Sequence, residues 1–273
     1  MKKLGIIGLG FVGTAVYLHY IQCCKVIRLD RDKEKSDFDN LSDFLDENPD
    51  YILICVPTPE KNGQSDFSNV GDTCLAIEKE SLKRNKKFKI VIKSTTSPVY
   101  LLNLKTKISN SILITFPEFL SQRTANEDFR DSEFLIFGCE DKTILDVTIK
   151  DLTVGFHNLS RIFDFGDIET PMKFKYAHNV MGAISVLMSN IMYDYINSEY
   201  NYRHFREFLV LTNHFTSTYL NVPGHDGQRG FGGACFPKDL TSFLEQAMAN
   251  ENISTPEFNF ISSAKMLNTI LKK

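Results

Sequence analysis

The sequence of 273 residues predicts an α/β fold, a mostly parallel sheet with helices on both faces, followed by an all-helical domain. Two observations predict it. Through the first half, short and nearly continuous apolar runs alternate with helix-patterned stretches, as strands buried on both faces do. After about residue 165 the strand-like runs stop and long helical patterns take over. The expected division is therefore 1–165 and 166–273, and a chain of this length suits two modest cores.

The elements read as follows. Lys3–Gly8 is a strand, Phe11–Ile21 a helix and Lys25–Leu29 a second strand. Tyr51–Val56, Phe88–Ile92, Ser111–Thr115 and Glu133–Phe137 read as further strands, with helices over Asp66–Arg84 and Asp141–Leu152. Thr170–Asn197 is one long helical pattern, with Pro171 in its first turn, where a missing N–H costs nothing. A helix over His204–Asn213 follows. Val222–Cys235 is a glycine-rich loop, and helices over Pro237–Asn250 and Pro256–Leu271 come after it.

Composition narrows the function classes. Hydrophobic residues at 42% and charged residues at 24% are ordinary for a soluble protein and exclude a disordered chain. A net charge of −3 offers no basic footprint for nucleic acid and no polybasic membrane patch. The run Leu4–Val16 is broken by glycines, so it reads as neither signal peptide nor membrane span. Six cysteines fit no metal-ligand spacing, so no metal is expected, and they read as reduced thiols in the cytoplasm of a cell or an infected host.

Gly8-Leu9-Gly10-Phe11-Val12-Gly13 lies between a strand and a helix, where a Rossmann-type dinucleotide fingerprint belongs. The first glycine permits the tight turn, the second lets the backbone approach a pyrophosphate, and the third allows close helix–strand packing. Asp30 ends the second strand, 17 residues past Gly13. Its carboxylate accepts from ribose hydroxyls and repels a 2′-phosphate, which favours NAD over NADP, although Arg31 beside it is a residue that holds such a phosphate. The plain alternative is a glycine turn with no cofactor.

Phe231-Gly232-Gly233-Ala234-Cys235-Phe236-Pro237-Lys238-Asp239 places a thiol near a helix start, where the dipole and open N–H groups favour thiolate. Lys238 adds a positive charge, and Asp239 a carboxylate able to orient water. The plain reading of such a cysteine is packing beside a turn. Lys175 and Asn179 stand at i and i+4 of the long helix, with His178 a bystander; a lysine there ordinarily marks the solvated face. Val56-Pro57-Thr58-Pro59, Ser94-Thr95-Thr96-Ser97-Pro98 and Pro117-Glu118-Phe119-Leu120 all follow strands. They share the rim where open α/β sheets bind ligands.

These segments, in order, resemble the UDP-glucose/GDP-mannose dehydrogenase family: Gly8–Gly13, Asp30 with Lys35, Val56–Pro59, Lys93–Thr95, Pro117–Leu120, Lys175–Asn179 and Gly230–Asp239. The resemblance implies Cys235 as nucleophile, with Lys175, Asn179, Asp239, Glu118 and Thr95 as the polar catalytic set. It implies NAD held by Gly8, Gly10, Phe11, Val12, Gly13 and Asp30, joined by Lys35, Pro57, Thr58 and Thr95. It implies a nucleotide-sugar substrate, UDP-glucose by default, met by Phe119, Leu120, Lys175, Asn179, Phe231, Gly232, Gly233 and Lys238. The implied reaction is a four-electron oxidation of the sugar's primary alcohol using two NAD, through a thiohemiacetal and a thioester on Cys235.

A homodimer through the helical domain is implied as well. The chain departs from the family's pattern at Gln122, Arg123 and Ser185, and it reads as a short form without the further C-terminal nucleotide-sugar-binding domain. Two other readings stand beside this one. A two-domain 3-hydroxyacid dehydrogenase shares the glycine motif and the Lys-to-Asn pair but needs no Cys235. A non-catalytic module or half of a split enzyme needs a partner chain.

Overall fold

The structure, a computed structural model, describes residues 1–61, 64–248 and 250–272. It divides into two compact units, 1–59 with 66–175, and 60–65 with 176 onward.

The first unit opens with β1 (Lys3–Ile7), α1 (Phe11–Tyr20) and β2 (Lys25–Leu29), then α2 (Leu41–Asp46) and β3 (Tyr51–Ile54). The short strands β4 (Glu60–Lys61) and β5 (Gln64–Ser65) pair antiparallel and belong to the second unit. The first unit resumes with α3 (Ser68–Lys83), β6 (Lys89–Ile92), α4 (Pro98–Lys105), β7 (Ile112–Thr115) and α5 (Ala125–Arg130). It continues through β8 (Phe134–Gly138), α6 (Lys142–Leu152) and β9 (Arg161–Phe165) into α7 (Thr170–Ile196).

Seven strands form one sheet in the order β2-β1-β3-β6-β7-β8-β9. All neighbours are parallel except β7 and β8. Side chains alternate between two cores, which is why the strands read as unbroken apolar runs. Leu4, Ile6, Leu53 and Val91 enter one core with Val16, Tyr20 and Phe129. Ile7, Ile52, Ile54, Ile90 and Ile92 enter the other with Phe44, Val70 and Leu101. Burying each such side chain is worth roughly 2 kcal/mol.

The second core also takes Ile168 and Met172, so the first turns of α7 are packed into the first unit. For that reason the units divide after Lys175, inside α7, whereas composition alone placed the change at 165. The second unit continues with α8 (Glu199–Leu211), α9 (Phe236–Met248) and α10 (Thr255–Leu271). Val180, Ala183 and Leu187 of α7 pack with Phe231, Leu240 and Ala264. Gly182 makes this possible, because a Cβ there would lie 2.7 Å from the Phe236 ring. The expected helix to Asn250 crosses Ala249, which lies outside the described residues.

Three short helices (α2, α4 and α5), the strand β9 and the β4–β5 pair carry no signal that the sequence analysis used. The helix expected from His204 begins earlier, at Glu199, because the Ser198 side chain accepts from the Asn201 N–H and caps it. Among the described residues no helix is long and apolar enough to cross a membrane, and no cluster of His, Cys, Asp or Glu is arranged to hold a metal ion.

Candidate active site

In the first unit the glycine motif has the geometry its residues dictate. Gly8 has φ +91°, a conformation open to glycine, and a Cβ on it would meet the Cys55 carbonyl oxygen at 2.8 Å. A Cβ on Gly13 would lie 1.9 Å from the Gly8 carbonyl oxygen, so only glycine lets α1 sit this close to β1. Around Gly10, at the N-cap of α1, the space within 4 Å of a Cβ is empty. The backbone there is open to a phosphate group, flanked by half-buried Phe11 and Val12.

Asp30 turns its carboxylate onto this loop. One oxygen accepts from the Leu9 N–H and the other from the Asp32 N–H at 2.8 Å. Lys35 is exposed and its Nζ lies 3.3 Å from an Asp32 oxygen. Arg31 donates to Asn69 Oδ1 at 3.0 Å, and Asn69 donates to the Pro57 carbonyl at 2.9 Å, so Arg31 is tied to the loop carrying Pro57 and Thr58. These residues fit a dinucleotide.

At the ends of β6 and β7 lies a buried charged group. Glu118 is 6% exposed; one of its oxygens accepts from the Leu120 N–H at 2.6 Å and the other lies 3.4 Å from Lys175 Nζ. Lys175 is 2% exposed and sits 5.3 Å from the Phe119 ring centroid. It is thus a buried ion-paired lysine, not the solvated one its residue type suggested. Thr95, three residues past β6, is buried too, and Ser94 before it donates its hydroxyl to the Val56 carbonyl at 2.7 Å. A cavity of about 90 Å³ opens among Phe116, Glu118, Phe119, Leu120, Phe129 and Phe134.

In the second unit Asn179, 3% exposed, donates through Nδ2 to Asp239 at 2.5 Å. Lys238 Nζ holds the other oxygen of Asp239, also at 2.5 Å. His178 Nδ1 lies 3.0 Å from Asn179 Oδ1, so it joins this network and is more than a bystander. Cys235 is half-buried and immediately precedes α9, its carbonyl accepting from the Asp239 N–H at 2.8 Å. The cysteine therefore caps the helix, as the sequence placed it. The loop before it is pinned from two helices. Phe231 exchanges two hydrogen bonds with Asn268, at 2.7 and 3.1 Å, and the Gly230 N–H donates to Asn190 at 3.2 Å. Gly232 is half-buried and Gly233 exposed.

Asn190 and Asn268 escaped the sequence reading, and Lys93 entered it only within the run Lys93–Thr95, with no role of its own. The asparagines did leave a signal, since asparagine inside a helix is unfavourable unless its amide is used elsewhere.

A strand, a glycine loop, a helix and an acid just past the second strand define a dinucleotide-binding protein of the Rossmann type. Residues 37–152 match the UDP-glucose/GDP-mannose dehydrogenase family, NAD binding domain. Apart from 60–65, the matched residues lie within the first unit, and its cofactor is NAD. A UDP-glucose 6-dehydrogenase of Rickettsia felis is 30% identical over 222 residues, 79% of this chain and 47% of the relative. The chain spans about half the length of the curated relatives it matches.

A UDP-glucose dehydrogenase structure from Pyrobaculum islandicum aligns with TM-score 0.78 at 19% identity, over 99% of this chain and 68% of that one. A 3-hydroxyisobutyrate dehydrogenase structure from Mycobacterium tuberculosis aligns with TM-score 0.70 at 14% identity, over 100% and 95%. At those identities both speak to the fold.

Proposed function

We propose that the chain oxidises a nucleotide sugar with NAD, taking UDP-glucose to UDP-glucuronate by two successive oxidations through Cys235. The observation that carries this reading is Cys235 itself, half-buried at the cap of α9 with Asp239 one turn on, fixed by Asn179 and Lys238.

Bound NAD accepts one hydride in each oxidation. The sugar's primary alcohol loses a hydride and a proton to give the aldehyde. The Cys235 thiolate adds to that carbonyl carbon, giving a thiohemiacetal. Loss of the second hydride together with the hydroxyl proton leaves a thioester, and water, giving up its protons, then displaces the thiolate to release the carboxylate. Lys175 and Asn179 supply donors for the oxyanion that forms as the carbonyl is attacked. Asp239, Glu118 and Thr95 orient the water and take up its proton. Gly8, Gly10, Phe11, Val12 and Gly13 receive the pyrophosphate. Asp30 and Lys35 hold the ribose end, and Pro57, Thr58 and Thr95 line the cofactor. Phe119, Leu120, Phe231, Gly232, Gly233 and Lys238 contact the sugar nucleotide.

Cys235→Ser tests the reading in an assay of NADH formation with UDP-glucose. Loss of acid formation by at least a thousandfold is expected; an unimpaired variant contradicts it and favours a 3-hydroxyacid dehydrogenase, whose chemistry gives that thiol no part. No turnover by the wild type, with NAD still bound, points to an enzyme completed by another chain.

Two further points belong to this reading. Exposed Met181, Met188, Ile191 and Tyr195 share one face of α7 by their spacing and support a homodimer through the helical unit. The reading also places the chain in the cytoplasm, with its cysteines as reduced thiols.

A further inference from the structure

Lys93 follows the last residue of β6 and has no exposed surface. Its Nζ donates to the Phe116 carbonyl at 3.0 Å and sits 3.5 Å from the Phe116 ring centroid and 4.9 Å from that of Phe129. Its own N–H donates to the Ile54 carbonyl of β3 at 3.0 Å. Phe116 lies just past β7, two residues before Glu118, and Lys93 lies two residues before Thr95. One side-chain bond therefore ties together the C-terminal ends of the two strands that deliver Thr95 and Glu118.

A methionine fills such a space without the cost of taking an ammonium out of water. The charge is what needs explaining. Burial pushes Lys93 down to about 8, with Cys55 and Glu118 favouring its charged form and Lys175 opposing it. His19 of α1 is the fourth titratable group facing it. With Lys175 and Glu118 it makes a buried trio of two cations and one anion, an environment that favours developing negative charge on oxygen.

We propose that Lys93 is a positioning residue for the reaction described above, on whose reading this inference rests. It locks Thr95 and Glu118 in register by closing β6 onto Phe116, and it supplies a second buried positive charge facing the Glu118 carboxylate. Its proton is lost in the alkaline range, so its contribution is present at neutral pH and fades as pH rises.

The test uses the full chain as wild type, Lys93→Met and Lys93→Arg. Acid formation by the wild type is expected to fall as pH rises through about 8. Lys93→Met should be slower at neutral pH by about a hundredfold, the scale of misplaced catalytic groups, and flat across that range. Lys93→Arg, charged throughout, should recover most of the rate and also lack the fall. NAD binding by fluorescence reports whether each variant is folded. A folded Lys93→Met with the wild-type rate and profile overturns the proposal, as does a folded Lys93→Arg that keeps the fall. Absence of the fall in the wild type overturns it whatever the variants do.

A second measurement needs no turnover. In the chain labelled with [ε-¹³C]lysine, the Lys93 resonance should titrate near 8, and Glu118→Gln should lower its midpoint further. A midpoint in the ordinary lysine range, or one indifferent to Glu118→Gln, overturns the proposal. If no nucleotide sugar is oxidised, the functional reading fails while this titration still judges Lys93.

Discussion

Cys235 is the thiol that immediately precedes a helix, at the start of α9. Burial pushes Cys24, Cys55 and Cys74 up to about 12, and it raises Cys23 and Cys139 too, so these five are protonated packing groups at neutral pH. Glu78 shows the opposite case. Burial raises its carboxyl, but that is outweighed by the N–H groups of Ser109, Asn110 and Ser111 and the Ser109 hydroxyl, which hold it down at about 2. This clamp fixes the turn into β7, the strand that leads to Glu118. The carboxyl ordinarily titrates near 4.5, so the clamp contributes roughly 3 kcal/mol, fully present above that pH and lost as pH falls toward 2. Urea unfolding of Glu78→Gln should show the loss at pH 7 and a flatter acid limb than the wild type; an unchanged limb contradicts this. At this scale the glycine motif was legible because turn, approach and packing are local demands on residues adjacent in sequence. The burial of Lys93 and Lys175 was not, since nothing in their neighbours along the chain says that Phe116 and Glu118 will face them.

Among the elements, long ones were read to within a few residues. The pattern from Thr170 to Asn197 became α7 because its apolar face runs for many turns. The helices α2 and α5 span six residues each, too few for a 3.6-residue period to repeat. In β9, Arg161 and Asp164 interrupt the apolar pattern because this edge strand is exposed along half its length. The loop from Val222 to Cys235 was legible as a loop, but its anchors on α7 and α10 are remote in sequence. Asn268→Ala removes both bonds to Phe231 and leaves the Phe231 backbone groups unpaired at a buried position. A loss of about 1–3 kcal/mol in local stability is expected, read as faster hydrogen exchange at the Phe231 amide, with acid formation reduced alongside. Unchanged exchange there contradicts the anchoring role.

For the whole molecule, the mostly parallel sheet and the helical second half were both legible, because apolar runs and helical periods are properties of chain segments. Where the two units divide was not. The change of texture near 165 is a change in local pattern, whereas the division inside α7 follows from Ile168 and Met172 joining the core of the first unit. The exposed apolar face of α7 gives the homodimer its own test. Sedimentation should find two chains for the wild type and one for Met188→Glu; a monomeric wild type contradicts the pairing.

The central claim is that one thiol carries one substrate through both oxidations. It is tested most directly by the NADH formed at the end point with UDP-glucose limiting and NAD in excess. The account predicts two NADH for each UDP-glucose consumed, with UDP-glucuronate as the product. One NADH with an aldehyde or ketone product would contradict it.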